Sequence, residues 1–171
     1  MKYLEAESTT DIIGDILEIK ESIAGLSILL ETYSLKMTRK ERKKSRSGKY
    51  KSMSSMVTDA LNLLFFGYEI KVTFRDIKIV SEEECRSDLT NKLFTIGITK
   101  NYQEMSGWVD SVFGVIRKCA GEDAKIIRVC IKTGPFEKCH WSECIVAYGK
   151  ELKRVSLFVV LYASQLNSPI M

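Results

Sequence analysis

Residues 102–119 read YQEMSGWVDSVFGVIRKC, and this stretch has the clearest helical periodicity in the chain. Its apolar side chains recur three, four, seven, eight and eleven residues after the first, which places them on one face of an α-helix. These residues are Met105, Trp108, Val109, Val112, Phe113 and Ile116. Gly121 follows as a helix stop signal. The sequence therefore predicts an amphipathic helix over 102–119 whose apolar face covers a core.

On either side of this helix the apolar residues alternate with a period of two, which is typical of strands. The predicted strands are 68–80, 93–100, 125–132, 143–148 and 153–163. In the first of them the phase changes at Arg75 and Asp76, which predicts a bulge or a tight turn. The polar, acidic residues 81–91 are predicted to form a connection. Because 153–163 is apolar on both faces, it should be a central strand or be covered on its second face.

The N-terminal part of the chain carries an apolar heptad pattern that predicts a long helix over about 11–37. Gly14 and Gly25 oppose this helix by about 1 kcal/mol each relative to alanine. The helix either packs on its own domain or associates with a second copy of the chain. The side chains assigned to self-association are Ile16, Ile19, Ile23, Leu26 and Leu30.

A further helix is predicted over 53–66, with Ser52 as its cap. Along the chain the predicted helices come first and most of the predicted strands later, and this order is typical of an α+β fold. We expect a mostly antiparallel sheet of about five strands with covering helices and a long N-terminal helix. The expected organisation is an N-terminal helix (1–37), a basic loop (38–52) and an α+β core domain (53–171).

Positive charge is concentrated in residues 39–51, called the basic segment below. It holds eight bases against the single acid Glu41, a formal charge of +7, whereas the whole chain carries +4. The eight bases are Arg39, Lys40, Arg42, Lys43, Lys44, Arg46, Lys49 and Lys51. Such a localised charge indicates a polyanion-binding element rather than a generally basic protein.

The partners expected from the basic segment are a nucleic acid or ribonucleoprotein, or an anionic membrane surface. Bases that neutralise phosphates release counterions and make binding strongly dependent on salt, and each base near an anionic membrane contributes about 1 kcal/mol. The same composition meets the criterion for a nuclear localisation signal. The alternative is a solvated charge run without a specific partner. We also expect a homo-oligomer.

The five cysteines and the single histidine do not form a motif that predicts chemistry. Cys139, His140 and Cys144 lack the close cysteine pairs of a structural zinc site. We therefore expect reduced thiols, no metal, no cofactor and no enzyme activity. The N-terminus lacks the pattern of a signal peptide, and the apolar run 155–163 is too short to cross a bilayer. A cytoplasmic location is expected, with the nucleus as an alternative.

The order of a basic segment (39–51), a strand and helix (93–119) and a final hairpin (143–163) resembles the matrix proteins of plant rhabdoviruses, of the cytorhabdovirus type. This resemblance implies a viral structural protein of the virion that self-assembles under a membrane, contacts anionic lipid and condenses a nucleocapsid. Two alternatives stay open. One is a small RNA-binding regulator such as a viral silencing suppressor. The second is a host-directed interaction module with a nuclear localisation signal.

Overall fold

Six strands form one antiparallel sheet in the spatial order β1-β2-β6-β5-β4-β3. The computed structural model describes residues 2–4, 14–16, 18, 19, 23–35 and 52–163. The strands are β1 (Lys2–Leu4), β2 (Leu26–Ser34), β3 (Ile77–Ile79), β4 (Lys125–Val129), β5 (Cys139–Gly149) and β6 (Arg154–Ala163). The longest of them, β2, β6 and β5, are neighbours, so the middle of the sheet carries most of the backbone pairing.

In the continuous described range 52–163, three helices cover this sheet, and each begins at a polar cap. They are α1 (Met53–Leu64), α2 (Glu82–Thr95) and α3 (Tyr102–Ala120). The capping side chains of Ser52, Ser81 and Asn101 accept hydrogen bonds from backbone N–H groups of the first turn. Each cap satisfies donors that a helix cannot satisfy within itself, and thereby marks where the helix starts.

The two faces of the sheet carry separate apolar cores. On one face, α2 and α3 pack over side chains such as Ile145 and Phe158. On the other face, α1 packs over their strand neighbours Val146 and Leu157. Because successive side chains on a strand point to opposite faces, β5 and β6 must be apolar at nearly every position to supply both cores.

The predicted α+β class with a mostly antiparallel sheet and covering helices is confirmed. The helix predicted over 102–119 is α3, and the doubly apolar strand predicted over 153–163 is β6, which lies between β2 and β5. The helix predicted over 53–66 is α1. The phase change at Arg75 and Asp76 is a 3₁₀ turn that ends where β3 begins.

The long N-terminal helix is not confirmed, because residues 26–34 form strand β2 beside β6. Residues 14–16, 18 and 19 are helical, and Gly25 then separates the two segments with a φ of 81°. A Cβ on Gly25 would lie 2.1 Å from the carbonyl oxygen of Ala163, so the strand needs glycine at this point. Apolar residues at 26, 28 and 30 fit a strand as well as a heptad, and pairing with β6 decides between them.

Residues 26–34 are therefore part of the same sheet as 154–163 rather than of a separate helical segment. The side chains of Thr32 and Ser156, both buried, meet across the two strands with their hydroxyl oxygens 2.8 Å apart. This pair hydrogen-bonds two polar groups that would otherwise be buried without a partner.

The connection predicted over 81–91 and the strand predicted over 93–100 are wrong, because α2 occupies 82–95 and residues 96–100 form turns rather than a strand. Cys85, Leu89 and Leu93 are fully buried at intervals of four, which is one face of a helix. Because the residues between these three are mostly polar, the helical spacing is hard to recognise in the sequence. Of the predicted strand 68–80, only 77–79 joins the sheet. In its first half, the backbone groups of Ile70 and Val72 instead form hydrogen bonds with the side chains of Asn62 and Thr58 on α1.

Replacing Ser81 with alanine should lower the free energy of unfolding by about 1 kcal/mol. Its hydroxyl oxygen accepts a hydrogen bond of 3.0 Å from the backbone N–H of Glu84, and alanine would leave this donor without its cap. Urea unfolding followed by circular dichroism measures the change. Ser87→Ala, at an exposed position inside the same helix, is the matched control. A cost for Ser87→Ala equal to that of Ser81→Ala would contradict the capping role.

Candidate functional site

A buried carboxylate lies in the middle of the sheet. Glu143 is on β5, and its side chain is only 1% exposed. Lys92 of α2 donates a hydrogen bond of 2.5 Å to one carboxylate oxygen, and the Nε atom of Arg128 on β4 lies 2.5 Å from the other. A buried charge is costly unless it is paired. These two cations on neighbouring elements are therefore what allows Glu143 to be buried.

The ion network extends from Glu143 along one side of α2. Arg128 also lies 2.9 Å from Asp88 and 3.9 Å from Glu84, which are placed one helical turn apart on α2, with Lys92 one turn further. Burial alone would lower the pKa of Arg128, but the facing carboxylates, Glu143 first among them, raise it above its ordinary value. The network thus holds α2 against β4 and β5 by charge.

A second ion network joins α2 to α3. Glu82, in the first turn of α2, binds Arg86 one turn later and Arg117 of α3. Burial acts to raise the pKa of Glu82, yet the hydrogen bonds and charges of Arg86 and Arg117 lower it overall. The acidic run at 82–84 is consequently not the solvated loop that its composition suggests, since its first member is an interhelical contact.

A cleft of about 370 Å³ opens beside the buried network. It lies where β4 ends at Val129 while β5 continues to Cys139. Lys92, Arg128 and Glu143 form part of its wall on the side of α2 and α3. The remaining wall is formed by 129–132, by Phe136 and Glu137 at the end of the 3₁₀ turn Gly134–Phe136, and by 139–142 and Cys144 of β5. We take this cleft as the candidate functional site of the described residues.

Three cysteines and the single histidine of the sequence also line the cleft, and these are Cys130, Cys139, Cys144 and His140. Within the described ranges, no three histidine, cysteine or acidic side chains are placed to hold a metal ion. All five thiols are unpaired. Burial raises the pKa of Cys139 and of Cys144, and it raises that of Cys85, beside the network, to about 11. These three thiols stay protonated at neutral pH, and a protonated thiol is a poor nucleophile.

Arg128 and Glu143 were not identified as site residues from the sequence, although each is an isolated charge beside apolar strand residues. Arg128 stands between Ile127 and Val129, and Glu143 precedes the apolar run 144–147. A lone charge at an inward position of an apolar strand requires a buried partner. The partners could not be named, because Lys92 and Glu143 are 51 residues apart in the chain.

The predicted polyanion site lies outside the described residues. The basic segment connects the end of β2, where the backbone N–H of Leu35 donates to the carbonyl of Lys153, to the N-cap residue Ser52 of α1. Its role in binding stays a prediction.

The residues predicted for self-association do not lie along one helix, since Leu26 and Leu30 are in β2. Ile16 and Leu26 are buried in the core under α2 and α3, and Ile19, Ile23 and Leu30 pack against the same core. Whether the protein forms oligomers stays a prediction.

Each helix in the described part of the chain is too short or too polar to span a bilayer.

The fold has counterparts among solved structures. Two crystal structures of citrus MAF1 match this chain with TM-scores of 0.66 and 0.64 and sequence identities of 20% and 17%. The matches cover 91% and 90% of this chain and 99% and 98% of the citrus MAF1 chains. No protein-family model and no curated protein matches the sequence. At such low identity, the likeness shows a shared fold.

This comparison corrects the function expected from the sequence. The viral matrix function is contradicted, because two solved structures that share the fold are of citrus MAF1 and not of a viral matrix protein. The layout that suggested a matrix protein, a basic segment followed by strands around a helix, is common to unrelated α+β proteins and does not distinguish between them.

Proposed function

We propose that this chain is a MAF1-like regulatory protein that acts by binding other macromolecules rather than by catalysis. The observation that carries the proposal is the likeness to citrus MAF1, which extends over 91% of this chain and 99% of that chain. The two chains thus share a whole fold rather than one common motif. The ion-paired network around Glu143 supports this proposal, because it fixes α2 to the sheet and builds a rigid surface.

We assign the basic segment to nucleic acid, either free or within a ribonucleoprotein. Its formal charge of +7 in thirteen residues is enough to neutralise several phosphates at once. The charge of the basic segment also fits an anionic membrane surface, but the matrix function that implied contact with lipid has been overturned. Lipid therefore serves as the competing ligand in the test below.

Replacing Lys43, Lys44 and Arg46 together with alanine should weaken binding to RNA. The expected cause is that fewer phosphates are neutralised, which also flattens the salt dependence by about one unit of log K per log salt for each phosphate that is no longer bound. Fluorescence anisotropy with a labelled single-stranded RNA, measured at several salt concentrations, gives both quantities. The stability of the fold should change by no more than about 0.5 kcal/mol, as is usual for surface substitutions.

The matched control removes three exposed lysines from elsewhere on the chain, in the variant Lys125→Ala, Lys138→Ala and Lys150→Ala. It lowers the net charge by the same amount and should retain most of the RNA affinity. Equal losses of affinity in both triple variants would mean that net charge alone drives binding. Tighter binding to phosphatidylserine vesicles than to RNA at equal ionic strength would contradict the assignment to nucleic acid.

A further inference from the structure

One edge of β5 is left open at the cleft. On one side, β6 pairs with β5 over nearly its whole length, from Gly149 to Cys139. On the other side, pairing with β4 reaches Ile145, and the register places Val129 opposite Cys144. Among the residues that the structure describes, no strand pairs with 139–143 on this side. These five residues span about 17 Å, and the backbone N–H and C=O groups of alternate residues among them face this open edge.

The cleft occupies the place that a neighbouring strand would take. Its lining includes Arg128 and Glu143, which point to the core under α2 and α3, and also Cys144 and Phe136, which belong to the opposite core. A cleft bordered by side chains from both faces of a sheet lies in the plane of that sheet. An extended chain placed there would continue the sheet from where β4 leaves it.

The charges around the cleft favour an acidic occupant. The lining holds Lys92, Arg128 and Lys132 against Glu137 and Glu143. Glu143 is buried and is paired with both Lys92 and Arg128. Lys132 is exposed, and the side chain of Lys92 is 37% exposed. The five charged residues of the lining therefore sum to a formal charge of +1, and Lys132, which has no ion pair among the described residues, is the cation that an acidic side chain of an occupant would meet.

We propose that this cleft binds an extended, acidic peptide segment of a partner protein by strand addition to residues 139–143 of β5. Backbone hydrogen bonds along the open edge supply affinity, and an acidic side chain beside Lys132 and Lys92 supplies selectivity. An open strand edge hydrogen-bonds to another peptide backbone, which a nucleic acid does not have. The described lining of this site includes no residue of the basic segment, and the proposal does not depend on the assignment of that segment to nucleic acid.

The test is a selection from a phage-displayed library of random nine-residue peptides against the full-length chain. Selected peptides should be enriched in Asp and Glu. A synthetic, fluorescein-labelled copy should bind Lys132→Glu at least about tenfold more weakly than the parent by anisotropy, because a favourable charge contact becomes repulsive. Lys125→Glu, at an exposed position on β4 away from the cleft, is the control and should bind like the parent.

The backbone contribution is tested with two N-methylated versions of the selected peptide, each methylated at alternate residues. In an added strand, alternate N–H groups point to the neighbouring strand. One version should therefore lose at least about tenfold in affinity, since several hydrogen bonds of about 1 kcal/mol each can no longer form, while the other keeps its affinity. Circular dichroism of each protein variant verifies that it is folded.

Three results would overturn the proposal. The first is a selection that yields no enriched peptide. The second is an enriched peptide whose affinity is the same for Lys132→Glu and the parent, or the same for both methylated versions. The third is a dimer that Lys132→Glu dissociates while no peptide competes with it, which would assign the cleft to a second copy of the chain.

Discussion

Replacing Glu143 with alanine should lower the free energy of unfolding by about 3–5 kcal/mol, which is typical of breaking a buried ion pair. The change leaves the guanidinium of Arg128, whose side chain is 15% exposed, without the carboxylate 2.5 Å away. Lys92 can turn toward water because it is 37% exposed, so most of the cost arises at Arg128. Urea unfolding monitored by circular dichroism measures the effect.

The control for this experiment is Asp88→Ala, which removes the carboxylate on the other side of the same guanidinium. Because the side chain of Asp88 is 45% exposed, this change should cost less than about 1 kcal/mol. Arg128→Ala and the double variant complete a mutant cycle with Glu143→Ala, and the two single effects should not add. Additive effects, or a cost for Glu143→Ala no larger than that for Asp88→Ala, would show that the network does not hold α2 to the sheet.

Gly149→Ala should destabilise the fold by about 3 kcal/mol or prevent it from forming. A Cβ at this position would lie 1.7 Å from the carbonyl oxygen and 2.7 Å from the carbonyl carbon of Ala120, at the end of α3. Both atoms belong to the backbone, so the end of α3 must move away from β5, and overpacking of this kind costs about 1–3 kcal/mol or more. The midpoint of thermal unfolding and the yield of folded protein measure the destabilisation.

Gly107→Ala is the matched control for Gly149→Ala. Gly107 is an exposed residue of α3, and a Cβ there would have no neighbour within 4 Å. Alanine at a helix interior is favoured over glycine by about 1 kcal/mol, so this variant should be at least as stable as the parent. If Gly149→Ala unfolds at the same temperature as the parent, α3 and β5 do not approach each other as closely as described.

Local sequence patterns predict the basic segment of this chain but not its cleft. The basic segment is visible in the sequence because eight bases in thirteen residues need no structural context. The resemblance to matrix proteins failed because many unrelated proteins share this order of strands, helices and charges. The cleft could not be predicted, since it arises where β4 ends early beside the longer β5.

The sequence by itself determined the elements whose periodicity is unambiguous. The apolar face of α3, the cap and apolar face of α1 and the doubly apolar strand β6 each follow from side-chain spacing within one segment. These features depend on local geometry, which repeats every 3.6 residues in a helix and every two in a strand. The α+β class followed from their order along the chain.

Only the tertiary structure decided the segments whose patterns are ambiguous and the site that depends on distant residues. Residues 26–34 fit both a helix and a strand, and β6, over 100 residues away, selects the strand by pairing with it. Helix α2 has few apolar residues and is held by charges on β4 and β5. The ion network around Glu143 likewise joins residues far apart in the sequence. Long-range pairing supplies free energy that no local window contains, and for this reason these features appear only in the folded chain.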